Sequence, residues 1–317
     1  MLNASVIVCT YNRCKSLAVT LESAANLVLS EDVKWEVVVV DNNSSDSTQD
    51  VVQRFGVRSP GRFRYVLEKN QGLSHARNRG IHEAQGQILA FTDDDVILDA
   101  WWLERLISAL KVDLYAGAGG RILPDSTFDL PKWLSGETMR LGGVLPFFDC
   151  GPNLADLHQA PFGANMAYRR DAFEKYGYFR TDLGRKGKTL MSSEDAEFGR
   201  RLLSAGENLR YVPSAVVYHP VTEERMRKSY FQSWWFGLGR SSVLLYGRAP
   251  DVWGIPRPVL SIAKALVRIG VNGVRWLFAF RSDRRFFFKL QVWKLAGCIL
   301  EFWRQLGLAE EQIGSKA

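Results

Sequence analysis

No uninterrupted apolar run in this 317-residue chain approaches the roughly 18 residues that a membrane-spanning helix needs. The first strand-like segment begins almost at Met1, so no signal peptide is expected. Cysteine is scarce. Cys9, Cys14, Cys150 and Cys298 lack the paired spacing of a zinc site or a disulfide scaffold. These absences together fit a reducing cytoplasm. What is present is ordinary for a folded chain: 46% apolar and 24% charged residues, which argues against disorder. The length fits one or two domains.

The formal net charge of +7 is unevenly distributed. Residues 1–219 hold 25 Lys and Arg against 27 Asp and Glu, a net of −2; residues 220–317 hold 16 against 7, a net of +9. Six of the ten tryptophans also fall in that last third: Trp234, Trp235, Trp253, Trp276, Trp293 and Trp303. The chain thus has a near-neutral first two-thirds and a basic, aromatic last third.

The first half alternates strand and helix patterns. Ala4–Cys9 is a short β-rich run ended by the polar Thr10-Tyr11-Asn12. Leu17, Leu21, Ala24 and Ala25 follow at helical spacing. Trp35–Val40 reads as a buried parallel strand because its valines are continuous. Asp41–Thr48 is a loop whose Ser and Asp residues suit a helix N-cap before Val51–Phe55. Phe63–Leu67 is a third strand, Leu73–Ala84 a helix, and Gln87–Thr92 a fourth strand that runs into Asp93-Asp94-Asp95. Repeated βα units imply a doubly wound α/β sheet with helices on both faces. Ligands bind such sheets at the carboxyl ends of the strands, where Thr10–Arg13, Asp41 and Asp93–Asp95 lie.

Three adjacent carboxylates repel one another unless a cation or donors offset them. Asp93 and Asp95, on alternate residues, can bear on one ligand while Asp94 points elsewhere. Hard divalent cations such as Mg²⁺ and Mn²⁺ take such oxygens together with substrate phosphates. Alone, the triplet reads equally as a capping cluster for the helix expected near Trp101–Leu110. Its place after a strand and beside other polar strand ends favours metal plus diphosphate.

Seven segments now stand in one order: Ser5–Arg13 (SVIVCTYNR), Val38–Asp46 (VVVDNNSSD), Asn70–Gly80 (NQGLSHARNRG), Phe91–Asp95 (FTDDD), Gly163–Met166 (GANM) with Arg169-Arg170, Ser193–Phe198 (SEDAEF) and Val216–His219 (VVYH). In this order the chain resembles glycosyltransferase family 2 over roughly residues 4–240, which implies a catalytic domain over 1–240 and a basic, aromatic helical extension over 241–317. The resemblance implies a doubly wound mixed sheet of the A-type glycosyltransferase fold with a C-terminal helical extension. It implies that Thr10, Tyr11, Asn12 and Arg13 cup the nucleotide of a nucleotide-diphosphate sugar. Asp41 would accept from the base ring N–H, which favours uracil or thymine. Arg77 would lie near the nucleotide or its phosphates. Asp93 and Asp94 would contact the donor, and Asp93, Asp95 and His219 would hold the metal that neutralises the leaving diphosphate. Asp195 would be the general base of a single inverting displacement. Gly163, Asn165 and Glu194 would line the sugar or acceptor pocket, with Glu194 in a supporting role.

Departures from the family pattern are Gly177–Asp182 (GYFRTD), where the family often has Gly-x-Phe-Asp-Glu, and the basic, glycine-rich Leu183–Lys188. The latter reads equally as a loop closing over the diphosphate and as plain surface. Residues 121–160 lack periodicity and are expected to shape the acceptor pocket. In the last third, Arg257, Ser261, Lys264, Arg268, Asn272 and Arg275 fall on one helical stripe with apolar residues around the rest, and Arg284–Leu306 is similar. Such helices lie on anionic membranes or form a helical hairpin packed onto the catalytic domain or a partner subunit. The expectation is a cytoplasmic enzyme, peripheral on the inner face of the cell membrane. It would serve a saccharide or lipid-linked acceptor in cell-surface polysaccharide or glycolipid synthesis, without nucleic acid as a partner. The alternative is a nucleic-acid-binding α/β protein using the basic tail, which leaves Asp93–Asp95 and Asp195 without a purpose.

Overall fold

The valine-rich Trp35–Val40 run shows how the sheet forms. Every residue of that strand is buried, yet successive side chains enter different cores: Val37 and Val39 one, Val38 and Val40 the other. Val6 and Val8 likewise part from Ile7 on the neighbouring strand. A sheet covered on both faces follows, as the continuous apolar pattern predicts.

The computed structural model describes residues 2–111, 114–125, 131–134, 143–145, 147–187, 189–246 and 257–314. In chain order the elements are β1 (Leu2–Thr10), α1 (Cys14–Ala25), β2 (Trp35–Asp41), α2 (Thr48–Arg58), β3 (Phe63–Leu67), α3 (Leu73–Glu83), β4 (Gly86–Thr92), β5 (Ile97–Leu98), α4 (Trp102–Leu110) and β6 (Tyr115–Pro124). Then come β7 (Ala155–Asp156), β8 (Met166–Arg169), α5 (Arg170–Tyr176), α6 (Glu194–Ser204), β9 (Asn208–His219), α7 (Lys228–Tyr246), α8 (Arg257–Leu277) and α9 (Ser282–Gly314).

The strand order is β3-β2-β1-β4-β8-β6-β9-β5, with β7 on β9. The pairs β1–β2, β2–β3, β1–β4 and β6–β9 are parallel; β8 is antiparallel to both β4 and β6. So β1, β2, β3, β4, β6 and β9 all run the same way, and their carboxyl ends share one edge. The registers Thr10↔Asp41 and Val8↔Thr92 bring the three polar strand ends together. The reversed β8 starts at that edge, opposite Phe91, and His219 closes β9 there beside Pro124. The expected mixed, doubly wound sheet is therefore present.

The chain forms two compact units. One comprises residues 1–127, 146–181 and 194–221; the other comprises residues 128–145, 182–193 and 222–317. The division expected at residue 240 falls inside α7, and the last segment of the second unit begins at Thr222. The physical reason is that α7 and α9 cross at backbone contact. A Cβ on Gly239 would strike the Lys294 carbonyl, and one on Gly297 would strike that of Phe236. Arg240 and Glu301 pair at 3.0 Å beside this crossing, and Trp133 packs edge-on against Phe231 and Phe286. Within the same unit, the Ser192 N–H donates to Ser241 Oγ at 3.0 Å, and Gly237 lies against Leu190. Of the 121–160 segment expected to shape the acceptor pocket, residues 126–130, 135–142 and 146 lie outside the described residues, as does Lys188 of the basic loop. Among the described residues, no helix is long and apolar enough to cross a membrane.

Candidate active site

Two asparagines shape the first strand-end loops. Asn12 and Asn43 adopt φ of +52° and +67°, a left-handed conformation that asparagine tolerates better than most residues. The loops are stitched together: the Asn12 N–H donates to Ser44 Oγ, and the Ser45 N–H donates to Asn12 Oδ1. Thr10 is buried at the base of this loop, and Tyr11 is exposed on it. Asp41 is buried and oriented. Its Oδ1 accepts the Ser44 N–H and its Oδ2 accepts the Tyr65 hydroxyl, both at 2.8 Å. Burial and this carboxylate push the Tyr65 phenol up to about 12. Asn42, to which the sequence reading gave no role, gathers Glu68 O and Asn70 O on its amide nitrogen and accepts the Gly72 N–H. It thereby fixes the start of α3, the helix that carries Arg77.

The acidic triplet divides its work. Asp94 is buried, and burial pushes its carboxyl up to about 6 although Arg13 pulls the other way. Arg13 Nη1 lies 3.1 Å from Asp94 Oδ1 and 2.9 Å from Asp95 Oδ2. The guanidinium expected to cup the nucleotide is thus engaged with the triplet. The second oxygen of Asp95 faces His219 Nε2 at 3.3 Å, and Asp93 Oδ2 lies 3.9 Å from the same nitrogen. His219 is 1% exposed, and its Nδ1 lies 3.1 Å from the Pro220 carbonyl. A carbonyl only accepts, so Nδ1 carries the proton of that bond. Nε2 then faces two carboxylates, with a lone pair for a cation or with a second proton. Metal-bound imidazoles are oriented in this way, by a backbone acceptor on the other nitrogen. One ligand atom each from Asp93, Asp95 and His219 falls within 4.8 Å of the others. This oxygen-rich set with one imidazole fits Mg²⁺ or Mn²⁺.

Arg77 sits beneath this cluster, almost wholly buried. Its Nη1 meets Glu194 Oε1 at 2.6 Å, its Nη2 lies 3.9 Å from Asp93, and its guanidinium covers the Phe179 ring at 5.6 Å. Burial opposes the Arg77 charge, yet Glu194, Asp195 and Asp93 together raise its pKa. The group expected near the phosphates is therefore held inside, where it braces the start of α6. A Cβ at Gly163 would collide with that guanidinium, so Gly163 is glycine for want of room. The freed backbone does further work: the Gly163 N–H donates to Asp195 Oδ2 at 2.9 Å, while Asp195 Oδ1 accepts the Ala196 N–H at 2.7 Å. Asp195 is partly exposed on the first turn of α6, a helix that begins directly after Ser193 with φ +84°. Asp93, Asp94, Asp95, Glu194 and Asp195 thus gather around the Arg13 and Arg77 guanidinium groups, and this acidic surrounding suits a divalent cation.

Asn165 does not join the cluster as a lining residue. It is fully buried; its amide nitrogen donates to Arg121 O and Ala215 O, and its oxygen accepts the Trp102 indole N–H at 2.8 Å. With these partners in the core it ties β6, β8 and β9 to α4. Phe179 and Asn42 were not singled out in the sequence. Phe179 stands in the Gly177–Asp182 departure from the family pattern, which was the available signal.

The sheet order, the reversed β8 and the strand-end carboxylates define the A-type glycosyltransferase fold. A mannosyltransferase of Pyrobaculum calidifontis, solved in complex with GDP-Man and Mn²⁺, has that fold; it aligns over 95% of this chain and 87% of its own with TM-score 0.61 at 18% identity. The glycosyl transferase family 2 model matches residues 5–177. The succinoglycan biosynthesis protein ExoM of Rhizobium meliloti is 30% identical over 99% of this chain and 97% of its own length. The glucosyl-dolichyl phosphate glucuronosyltransferase of Haloferax volcanii is 29% identical over 79% and 80%. The chain belongs to glycosyl transferase family 2, and it is a glycosyltransferase.

Proposed function

We propose that the protein is an inverting glycosyltransferase. It moves a sugar from a UDP- or dTDP-linked donor to a hydroxyl of a saccharide or lipid-linked acceptor in cell-surface polysaccharide or glycolipid synthesis. The observation that carries this reading is the convergence of Asp93, Asp95 and His219 at the strand-end edge that also bears Asp41 and Asp195. Asp41 takes the base N–H with the lone pairs that Tyr65 and Ser44 leave, in the orientation those two impose. Asp93, Asp95 and His219 hold Mg²⁺ or Mn²⁺, which when bound neutralises charge on the leaving diphosphate. Arg13 turns the Asp95 carboxylate so that its Oδ1 faces His219.

Asp195 is the general base. Its two oxygens are held by the Gly163 and Ala196 N–H groups, and lone pairs remain for the acceptor hydroxyl. The hydroxyl proton passes to Asp195 as the acceptor oxygen bonds to the anomeric carbon. The bond from that carbon to the diphosphate breaks on the opposite side, so the configuration inverts. Glu194 keeps Arg77 and the first turn of α6 in place. The basic, aromatic tail supports a membrane-held acceptor at an anionic surface.

A panel of nucleotide sugars, screened for release of nucleoside diphosphate with and without a chelator, tests the reading. Asp195→Asn is expected to lower kcat about 10²- to 10⁴-fold with the donor KM nearly unchanged. Proton NMR of the product is expected to show the opposite anomer. Undiminished turnover in Asp195→Asn, or retention at the anomeric carbon, would sink it.

A further inference from the structure

α8 is an unusual helix for a folded protein. Ala265 is its one buried residue among those described. α8 packs along α9, with Ala265 buried and Ile269 and Trp276 half-buried, and Arg285 of α9 covers the Trp276 ring at 4.6 Å. At about 100° per residue, Leu266, Val267, Val274 and Leu277 fall on the side away from that contact. They and the following Phe278 and Phe280 are 55 to 100% exposed. An exposed apolar face this continuous marks an interaction surface. Arg257, Lys264, Arg268 and Arg275 form a separate stripe along its border. No Asp or Glu occurs from Val252 to Ser282.

We propose that α8, and not α9, is the element that lies in an anionic lipid surface. Its apolar face enters the acyl boundary, and the Arg257, Lys264, Arg268 and Arg275 stripe rests on the headgroups. Charge complementarity selects this occupant. In a two-fold pairing of α8 with a second copy, like-charged stripes border the same contact, and α8 has no carboxylate to offset them. A nucleic acid would match the stripe but leave the apolar face in water. The sequence pattern gave α9 the same membrane reading; the structure gives it another task. Phe286 and Leu290 are buried, Glu301 pairs with Arg240, and α9 packs against both α7 and α8. α9 is the strut that presents α8. This inference rests on a membrane-held acceptor and names the element that reaches it.

The test is sedimentation of the full chain with vesicles of phosphatidylglycerol and phosphatidylcholine in equal parts, beside vesicles of phosphatidylcholine alone. The wild type is expected to sediment with the anionic vesicles only. Val267→Asp with Leu277→Asp should reduce the bound fraction at least about tenfold, and each cation removed from the stripe about fivefold. Trp303→Ser on α9 should leave binding unchanged. Diphosphate release from soluble donor, measured without vesicles, should stay at the wild-type rate in all these variants, so a failure here leaves the catalytic reading standing. The proposal is overturned if the wild type stays in the supernatant, if the α8 variants bind like the wild type, or if gel filtration shows a dimer that Leu277→Asp splits.

Discussion

Arg77 links Asp93, directly after β4, to Glu194 at the start of α6. A guanidinium and a carboxylate, each almost out of water, are stable only with close geometry. At 2.6 Å from Glu194, and stacked over Phe179, Arg77 has it. Removing one partner strands the other. Glu194→Ala is therefore expected to cost about 3–5 kcal/mol, read as a lower midpoint in urea unfolding. The double variant Arg77→Leu with Glu194→Leu should recover most of that loss. A Glu194→Ala midpoint equal to wild type would show the pair to be dispensable. At this scale the sequence disclosed the chemistry better than the bracing. Asp93 and Asp95 stood out because adjacent carboxylates at a strand end are costly without a cation or donors, whereas Asp41, Asp195 and His219 were legible only through the family resemblance. The interior pairing of Arg77, the crowding that keeps Gly163 small and the core role of Asn165 come from contacts between residues far apart in the chain. No local pattern encodes those contacts.

The strands that build the site divide in the same way. β1, β2 and β4 were legible because their apolar runs end abruptly in polar residues, and parallel register does the rest. β6 was not. Its sequence, YAGAGGRILP, is rich in glycine, which lowers strand propensity. The reason appears only in the packed sheet: side chains at Gly117, Gly119 and Gly120 would strike Tyr168, Pro161 and the Ala215 carbonyl. β9 was legible only at its end, although its full length carries His219 to the shared edge. The α7–α9 crossing follows the same principle of small residues at close approach. Gly239→Val is expected to destabilise the helical unit by at least about 1–3 kcal/mol, measured as earlier proteolytic cleavage after α7 on heating. Unchanged resistance to protease would mean that the crossing is looser than its geometry implies.

Over the whole molecule, the +7 excess resolves into two surfaces with different work. The unit that holds the carboxylate cluster is acidic, with 20 Lys and Arg against 24 Asp and Glu, and the positive excess lies after Thr222, with 16 against 7. A slightly acidic catalytic body does not repel a doubly charged metal, while a cationic helical unit suits an anionic surface. The central claim remains the cation at the shared strand edge. Calorimetric titration of Mn²⁺, in the presence of UDP, into the wild type, Asp95→Ala and His219→Ala tests it most directly. One metal ion per chain in the wild type, with binding lost in Asp95→Ala and weakened at least about tenfold in His219→Ala, is the predicted result. Equal Mn²⁺ affinity in all three proteins would contradict the account.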